Sequence, residues 1–212
     1  MIPMISRRSM AVLAGAASLS VALAGCGVLP ARKPPPQLYT LTPKSTFPDD
    51  LPYADWQLGI DSPSAPAGLS TTRIAVARQP LTLDYYAGAQ WIDEAPSMVQ
   101  RLLIESFENS GKIVGVGRES VGLRSNFVLR MELREFQAEY FDGATLPTVR
   151  VRLSAKLVKV PQRHIIASTT EERVIVAADN RMETIIRTFD DALGRALRGI
   201  VVWTLTRPET QG

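Results

Sequence analysis

Few side chains in this sequence of 212 residues have both the type and the company to do chemistry. His164 is the only histidine and Cys26 the only cysteine. The histidine follows Pro161-Gln162-Arg163 in an expected turn, where nothing adjacent orients it as the base of a Ser-His-Asp triad. No serine sits in a Gly-x-Ser-x-Gly elbow. Gly115-Val116-Gly117 opens like a dinucleotide loop but lacks the third glycine and a following helix. Gly111-Lys112, the only Gly-Lys pair, lacks the upstream glycine and the following Ser or Thr of a phosphate loop. Glu171-Glu172 and Asp190-Asp191 are adjacent pairs, so a strand sends them to opposite faces and a helix sets them about 100° apart. One cysteine can form no intrachain disulfide, and with one histidine it cannot complete a metal site. The residues describe no enzyme, metal or cofactor, and the thiol of Cys26 is the chemistry that remains.

Its neighbourhood says what that thiol is for. Arg7 and Arg8 are followed by an uncharged stretch of small and apolar residues from Met10 to Ala24. A basic start, a short apolar core and small residues before a cut site describe a secretory signal. Fifteen residues are too few to span a bilayer, which takes about 20. Leu23, Ala24 and Gly25 before Cys26 resemble a bacterial lipobox. There the signal (residues 1–25) is removed, the sulfur takes a diacylglyceryl group and the new amine takes a third acyl chain. One myristoyl chain binds a membrane only marginally, and three hold effectively irreversibly. Gly27 stands where an Asp would signal inner-membrane retention, so the outer membrane is the expected address.

Removal of the signal leaves 22 basic against 21 acidic residues. The high isoelectric point then reflects targeting, and no basic run interleaved with aromatics marks a nucleic-acid partner. Residues 26–37 form a tether with four prolines. Polyproline geometry rises about 3.1 Å per residue, so it reaches roughly 30 Å. Residues 38–207 suit one domain. Residues 43–68, rich in proline and poor in periodicity, are expected to be a surface excursion pegged by Trp56 and Ile60.

Within that domain, Leu38 to Leu41 and Thr72 to Arg78 read as strands, and Lys112 to Val116 as a short one. Asp93 to Asn109 reads as a helix capped by Asp93, with Pro96 in its first turn and Gly111 at its end. From Asn126 to Tyr140 alternate residues are apolar, and the phase flips after Leu133, as a β-bulge produces. A turn at Asp142-Gly143 leads to a second alternating strand from Val149 to Leu157. One face of this hairpin carries Arg130, Arg134, Arg150 and Arg152. It is expected to be solvated, so that Arg150→Ser costs under about 0.5 kcal/mol. His164 to Val176 forms a strand bent in the middle. A last helix is expected to start at an Asn180–Glu183 capping box and to present Met182, Ile185, Ile186, Phe189, Leu193, Leu197 and Ile200 on one face. These elements give an α+β fold in two layers, a mostly antiparallel sheet with two helices on one face.

Several stretches together resemble the ABC-type transport auxiliary lipoproteins, outer-membrane components of mammalian-cell-entry (MCE) lipid transport systems. They are Leu38-Tyr39-Thr40-Leu41 after the tether, Arg73-Ile74-Ala75-Val76, and Tyr85-Tyr86-Ala87-Gly88-Ala89-Gln90-Trp91-Ile92-Asp93 leading into Pro96. Arg134 to Tyr140 and the helix from Phe189 to Trp203 complete the set. The resemblance implies a fold similar to the N-terminal domain of the Tol-system propeller protein. It also implies a periplasmic domain without catalytic residues that receives an MCE-protein conduit, and assembly of some members into homo-oligomeric rings. A structural role in outer-membrane assembly without transport is the alternative reading. Tyr85, Tyr86 and Trp91 are expected to cluster in a loop before the first helix as a candidate protein interface, since exposed aromatics are enriched at hot spots; for Trp91, packing beneath the helix as core is the equal alternative.

Overall fold

The computed structural model describes residues 34–121 and 124–210. The expected signal (1–25), lipobox and Cys26 lie outside the described residues. The chain runs β1 (Gln37–Tyr39), β2 (Ala54–Ile60), β3 (Arg73–Ala77), β4 (Asp84–Trp91), α1 (Ala95–Ser110), β5 (Ile113–Arg118), β6 (Phe127–Glu139), β7 (Thr148–Lys159), β8 (His164–Val176) and α2 (Met182–Leu205).

β6 organises the sheet. One of its edges pairs with β7 along the full length, antiparallel, and β7 pairs in turn with β8. The other edge is shared. β2 runs parallel to residues 127–129 and β3 runs parallel to residues 137–139. The gap between them is filled by the chain leaving β2. Asp61 N–H donates to Leu129 O (3.1 Å), Ser64 N–H to Met131 O (3.0 Å), and Leu133 N–H to Ser64 O (2.8 Å). These bonds continue the hydrogen-bonding of this edge of β6 between β2 and β3.

The expectations for the sheet and for residues 43–68 change. The sheet is mixed rather than mostly antiparallel: β1–β4, β2–β5, β2–β6 and β3–β6 are parallel, against three antiparallel pairs. The expected surface excursion contains β2, whose Leu58 and Ile60 are fully buried. Flanked on both edges by β5 and β6, β2 buries Ala54, Trp56, Leu58 and Ile60 and exposes Asp55; this alternation spans only seven residues among Pro48, Pro52, Pro63 and Pro66, which is why the stretch reads as irregular.

Of the other expectations, the bulge and the helix bounds stand, while both helix caps differ. The register of β6 shifts between Leu133 and Glu135, so Leu129, Leu133, Phe136 and Ala138 all point inward despite the change of phase. β8 has the expected ends, but its irregularity lies near Ile166 rather than mid-strand. α1 has Pro96 in its first turn and closes on Gly111 at φ 61°, the left-handed cap that glycine takes without strain. Its cap residue is Glu94, not Asp93, and no side chain caps it; Asp93 Oδ1 instead accepts the Glu94 N–H at 2.8 Å. The capping box of α2 does not form either. Arg181 is the cap residue. Asn180 is drawn to the β6–β7 turn, accepting from Tyr140 Oη (2.9 Å) and donating to Thr145 O (2.6 Å).

Both helices cover the apolar side, α2 across β7 and β8 and α1 against β5 and α2. At the centre Trp91, Phe136 and Phe189 bring strand β4, strand β6 and helix α2 together, with ring centroids 5.1–5.5 Å apart. Among the described residues, the opposite side of β6, β7 and β8 carries no helix.

Candidate functional site

The three expected interface aromatics do not sit in a loop; they lie on β4. Trp91 is 1% exposed and belongs to the core, so it can present nothing to a partner. Tyr85 and Tyr86 are half-buried braces. Tyr85 Oη donates to Gly68 O (3.1 Å), and the Arg73 guanidinium lies 3.5 Å from its ring centroid. Tyr86 Oη donates to Tyr140 Oη (3.3 Å), which continues to Asn180. Burial, and next the bond to Tyr140, push the Tyr86 hydroxyl far above the ordinary phenol range. Both tyrosines fasten the β3–β4 hairpin to the loops beside it.

What that hairpin presents is its tip. Pro80 to Leu83 turn the chain between β3 and β4, with Leu81 fully exposed (106%) at φ 67° and Leu83 41% exposed. A leucine in left-handed backbone is uncommon and strained, and here the strain holds an apolar side chain out into water. The tip overhangs the uncovered sheet face and encloses with it a groove of about 470 Å³. Its wall is apolar, built by Pro66, Leu69, Leu81 and Leu83.

Its floor is the charged face of the β6–β7 hairpin, and that face is knitted rather than merely solvated. Arg150 Nε donates to Glu139 Oε1 at 3.0 Å, and Arg150 Nη1 reaches Glu172 on β8. The Glu139 side chain is 6% exposed, so its charge depends on this partner. Glu139, followed by Glu172, holds the Arg150 guanidinium above its ordinary value. Arg152 Nε lies 3.0 Å from Glu135 and Arg134 Nε 2.7 Å from Glu132. Arg130 alone among the four arginines is loosely held, 3.8 Å from Asp61.

Among the described residues, the groove sets no nucleophile beside a base. His164 is exposed at the start of β8. The carboxylate pairs are taken by structural partners: Glu171 by Arg173, Glu172 by Arg150, Asp190 by Thr42 and Asp191 by Arg195. An apolar rim over a charge-neutral floor suits a protein segment with apolar anchors and polar edges. The exposed apolar residues of this hairpin are Leu81 and Leu83 at its tip, while Trp91 is buried. Aromatic content drew attention to β4, whereas the exposed Pro80-Leu81-Thr82-Leu83 has only a short apolar pattern after a proline.

The fold and sequence have counterparts among known proteins. A crystal structure of a Xanthomonas campestris protein is 31% identical and superposes with a TM-score of 0.75, covering 80% of this chain and 94% of that one. Another solved structure, of an uncharacterised protein, shares the fold at 12% identity and a TM-score of 0.61 over 79% of this chain and 97% of its own. A curated but uncharacterised protein of Bradyrhizobium diazoefficiens is 30% identical over 156 residues, 70% of this chain; the chain spans about two fifths (39%) of that relative's length. The family model for the ABC-type transport auxiliary lipoprotein component matches residues 39–201, from β1 to the last turns of α2, and the chain belongs to that family.

Proposed function

We propose that this protein is a non-enzymatic lipoprotein component of an MCE-type lipid transport system. It is anchored in the outer membrane by acyl chains on Cys26, with Leu23, Ala24 and Gly25 as the recognition sequence, and its periplasmic domain docks the MCE conduit. The observation that carries this reading is the family match over residues 39–201. The groove under the β3–β4 tip supports it, since an anchored domain without reactive groups acts through a surface.

Docking runs through the hairpin tip, with Tyr85 and Tyr86 as its supports and Leu81 as its leading side chain. Leu81→Asp therefore leaves the thermal unfolding of the domain unchanged and reduces co-purification with the MCE protein at least tenfold. Undiminished co-purification by folded Leu81→Asp moves the interface off the hairpin. Failure of the wild-type chain to retain any MCE protein from detergent-solubilised envelopes overturns the transport role and favours the assembly role.

A further inference from the structure

Charge pairing along the uncovered face of β6, β7 and β8 is uneven. In the middle and at the β6–β7 turn, each arginine meets an acid: Arg152 with Glu135, Arg150 with Glu139 and Glu172. At the opposite end the pairing is weaker, with Arg130 meeting only Asp61 at 3.8 Å. Arg130 and Lys156 stand directly across from each other in the β6–β7 register, where like charges repel. The next neighbour of Lys156, on β8, is Ser168 rather than an acid. Lys156 and Arg163 make no ion pair among the described residues.

These three cations line one cavity of about 440 Å³, the size of a small-ligand site. Arg163 is brought there by the β7–β8 turn, held at φ 56° with its N–H bonded to Lys159 O (2.8 Å). The one acid in the lining, Glu132, is taken by Arg134 at 2.7 Å. Two hydroxyls, of Ser64 and Ser154, complete the polar lining, and Ser154 is only 7% exposed. Beside them lie Met131, Val158 and Ile165, the last 57% exposed at the mouth.

The Ser64 hydroxyl already donates to Met131 O (3.4 Å), and three cations with the Ser154 hydroxyl still outnumber the two oxygens of a carboxylate. They suit a phosphate, whose several oxygens each accept charge-assisted bonds. The apolar side of the cavity further favours a phosphate ester that carries hydrocarbon. We propose that this cavity binds the phosphate of such an ester, with Arg130, Lys156 and Arg163 as counter-ions. A lipid headgroup and a soluble phosphate ester share this chemistry. The inference is independent of the docking groove, which lies at the other end of the hairpin.

The test uses the full-length chain in non-ionic detergent, titrated calorimetrically with inorganic phosphate, sn-glycerol 3-phosphate and dihexanoyl phosphatidic acid. Saturable binding of a phosphate-bearing probe is expected, weakened at least tenfold by Lys156→Ser with Arg163→Ser. The pair Arg130→Gln with Lys156→Gln is a second variant. Both relieve or leave unchanged the repulsion at this exposed end, so neither is expected to lower the unfolding temperature. Tighter binding of the lipid than of glycerol 3-phosphate supports the headgroup as the source, and equal binding supports a soluble ester. The proposal is overturned if no probe saturates or if both folded variants bind like the wild type. Equal binding of dihexanoyl glycerol, which has the chains without the phosphate, overturns it too. Retained co-purification of the MCE protein by these variants reports on docking separately.

Discussion

Arg130 and Arg150 project from the same sheet face, yet removing them has different consequences. Arg150 neutralises Glu139, a carboxylate 6% exposed that also accepts from Gln137 (3.0 Å). Arg150→Ser strands that buried charge and is expected to cost about 1–3 kcal/mol, the penalty for a buried polar group left without its partner. Arg130→Ser, 59% exposed by side chain, is expected to stay within about 0.5 kcal/mol. Chemical denaturation of the two variants checks the difference, and equal midpoints refute it. A second residue-scale prediction concerns acid. The Arg181 side chain and its backbone N–H hold the Asp179 carboxyl down, from an ordinary 3.8 to about 2. Because the folded value is depressed, the stability it contributes is full above the ordinary carboxylate range and is lost as pH falls from about 3.8 towards about 2. Carboxyl NMR titration is expected to find that low midpoint, and Arg181→Ala is expected to return it towards the ordinary range.

Helix α2 depends on its apolar face rather than on its cap. Phe189 is fully buried against Trp91 and Phe136. Phe189→Asp places an unpaired charge there, at several kcal/mol, and is expected to abolish cooperative unfolding. Trp91→Ala is expected to cost about 3–5 kcal/mol, as large buried aromatics do. Asn180 separates two accounts of the helix start. As a cap residue its loss would fray the first turn of α2. Bonded instead to Tyr140 and Thr145, Asn180→Ala is expected to raise amide exchange in the β6–β7 turn and leave Glu183 to Ile186 protected. Fraying of α2 with an unchanged turn would restore the capping box.

At the scale of the whole molecule, the β3–β4 tip and the β6–β7 hairpin are far apart in sequence and meet only because β3 lies parallel to the end of β6. That pairing sets Leu81 over Arg150 and Glu139 and makes the groove. The double variant Tyr85→Ala with Tyr86→Ala therefore tests support rather than contact. It is expected to lower the unfolding temperature as well as partner retention, whereas Leu81→Asp lowers retention alone. Cys26→Ser is expected to leave an unprocessed chain that no longer partitions with outer membranes. An unmodified Cys26 in the mature wild-type protein, seen by mass spectrometry, would refute lipidation.

Local features were legible without coordinates. The strands and helices with one buried face declare themselves by periods of 2 and 3.6 residues, which is why β6, β7, β8 and the apolar stripe of α2 could be placed. The bulge at Leu133–Glu135 shows as a slip in that period, and the closure of α1 follows from the freedom of Gly111 to adopt positive φ. The tertiary structure alone decided what depends on partners distant in sequence. β2 is a strand because β5 and β6 supply its hydrogen bonds; the alternation of Ala54, Trp56, Leu58 and Ile60 is too short to outweigh the prolines around it. Asn180 leaves the helix because Tyr140 competes for it. Whether an arginine is solvated, as Arg130 is, or holds a buried carboxylate, as Arg150 does, is fixed by register across three strands. Alternation gives both arginines the same face, and only pairing gives them different neighbours.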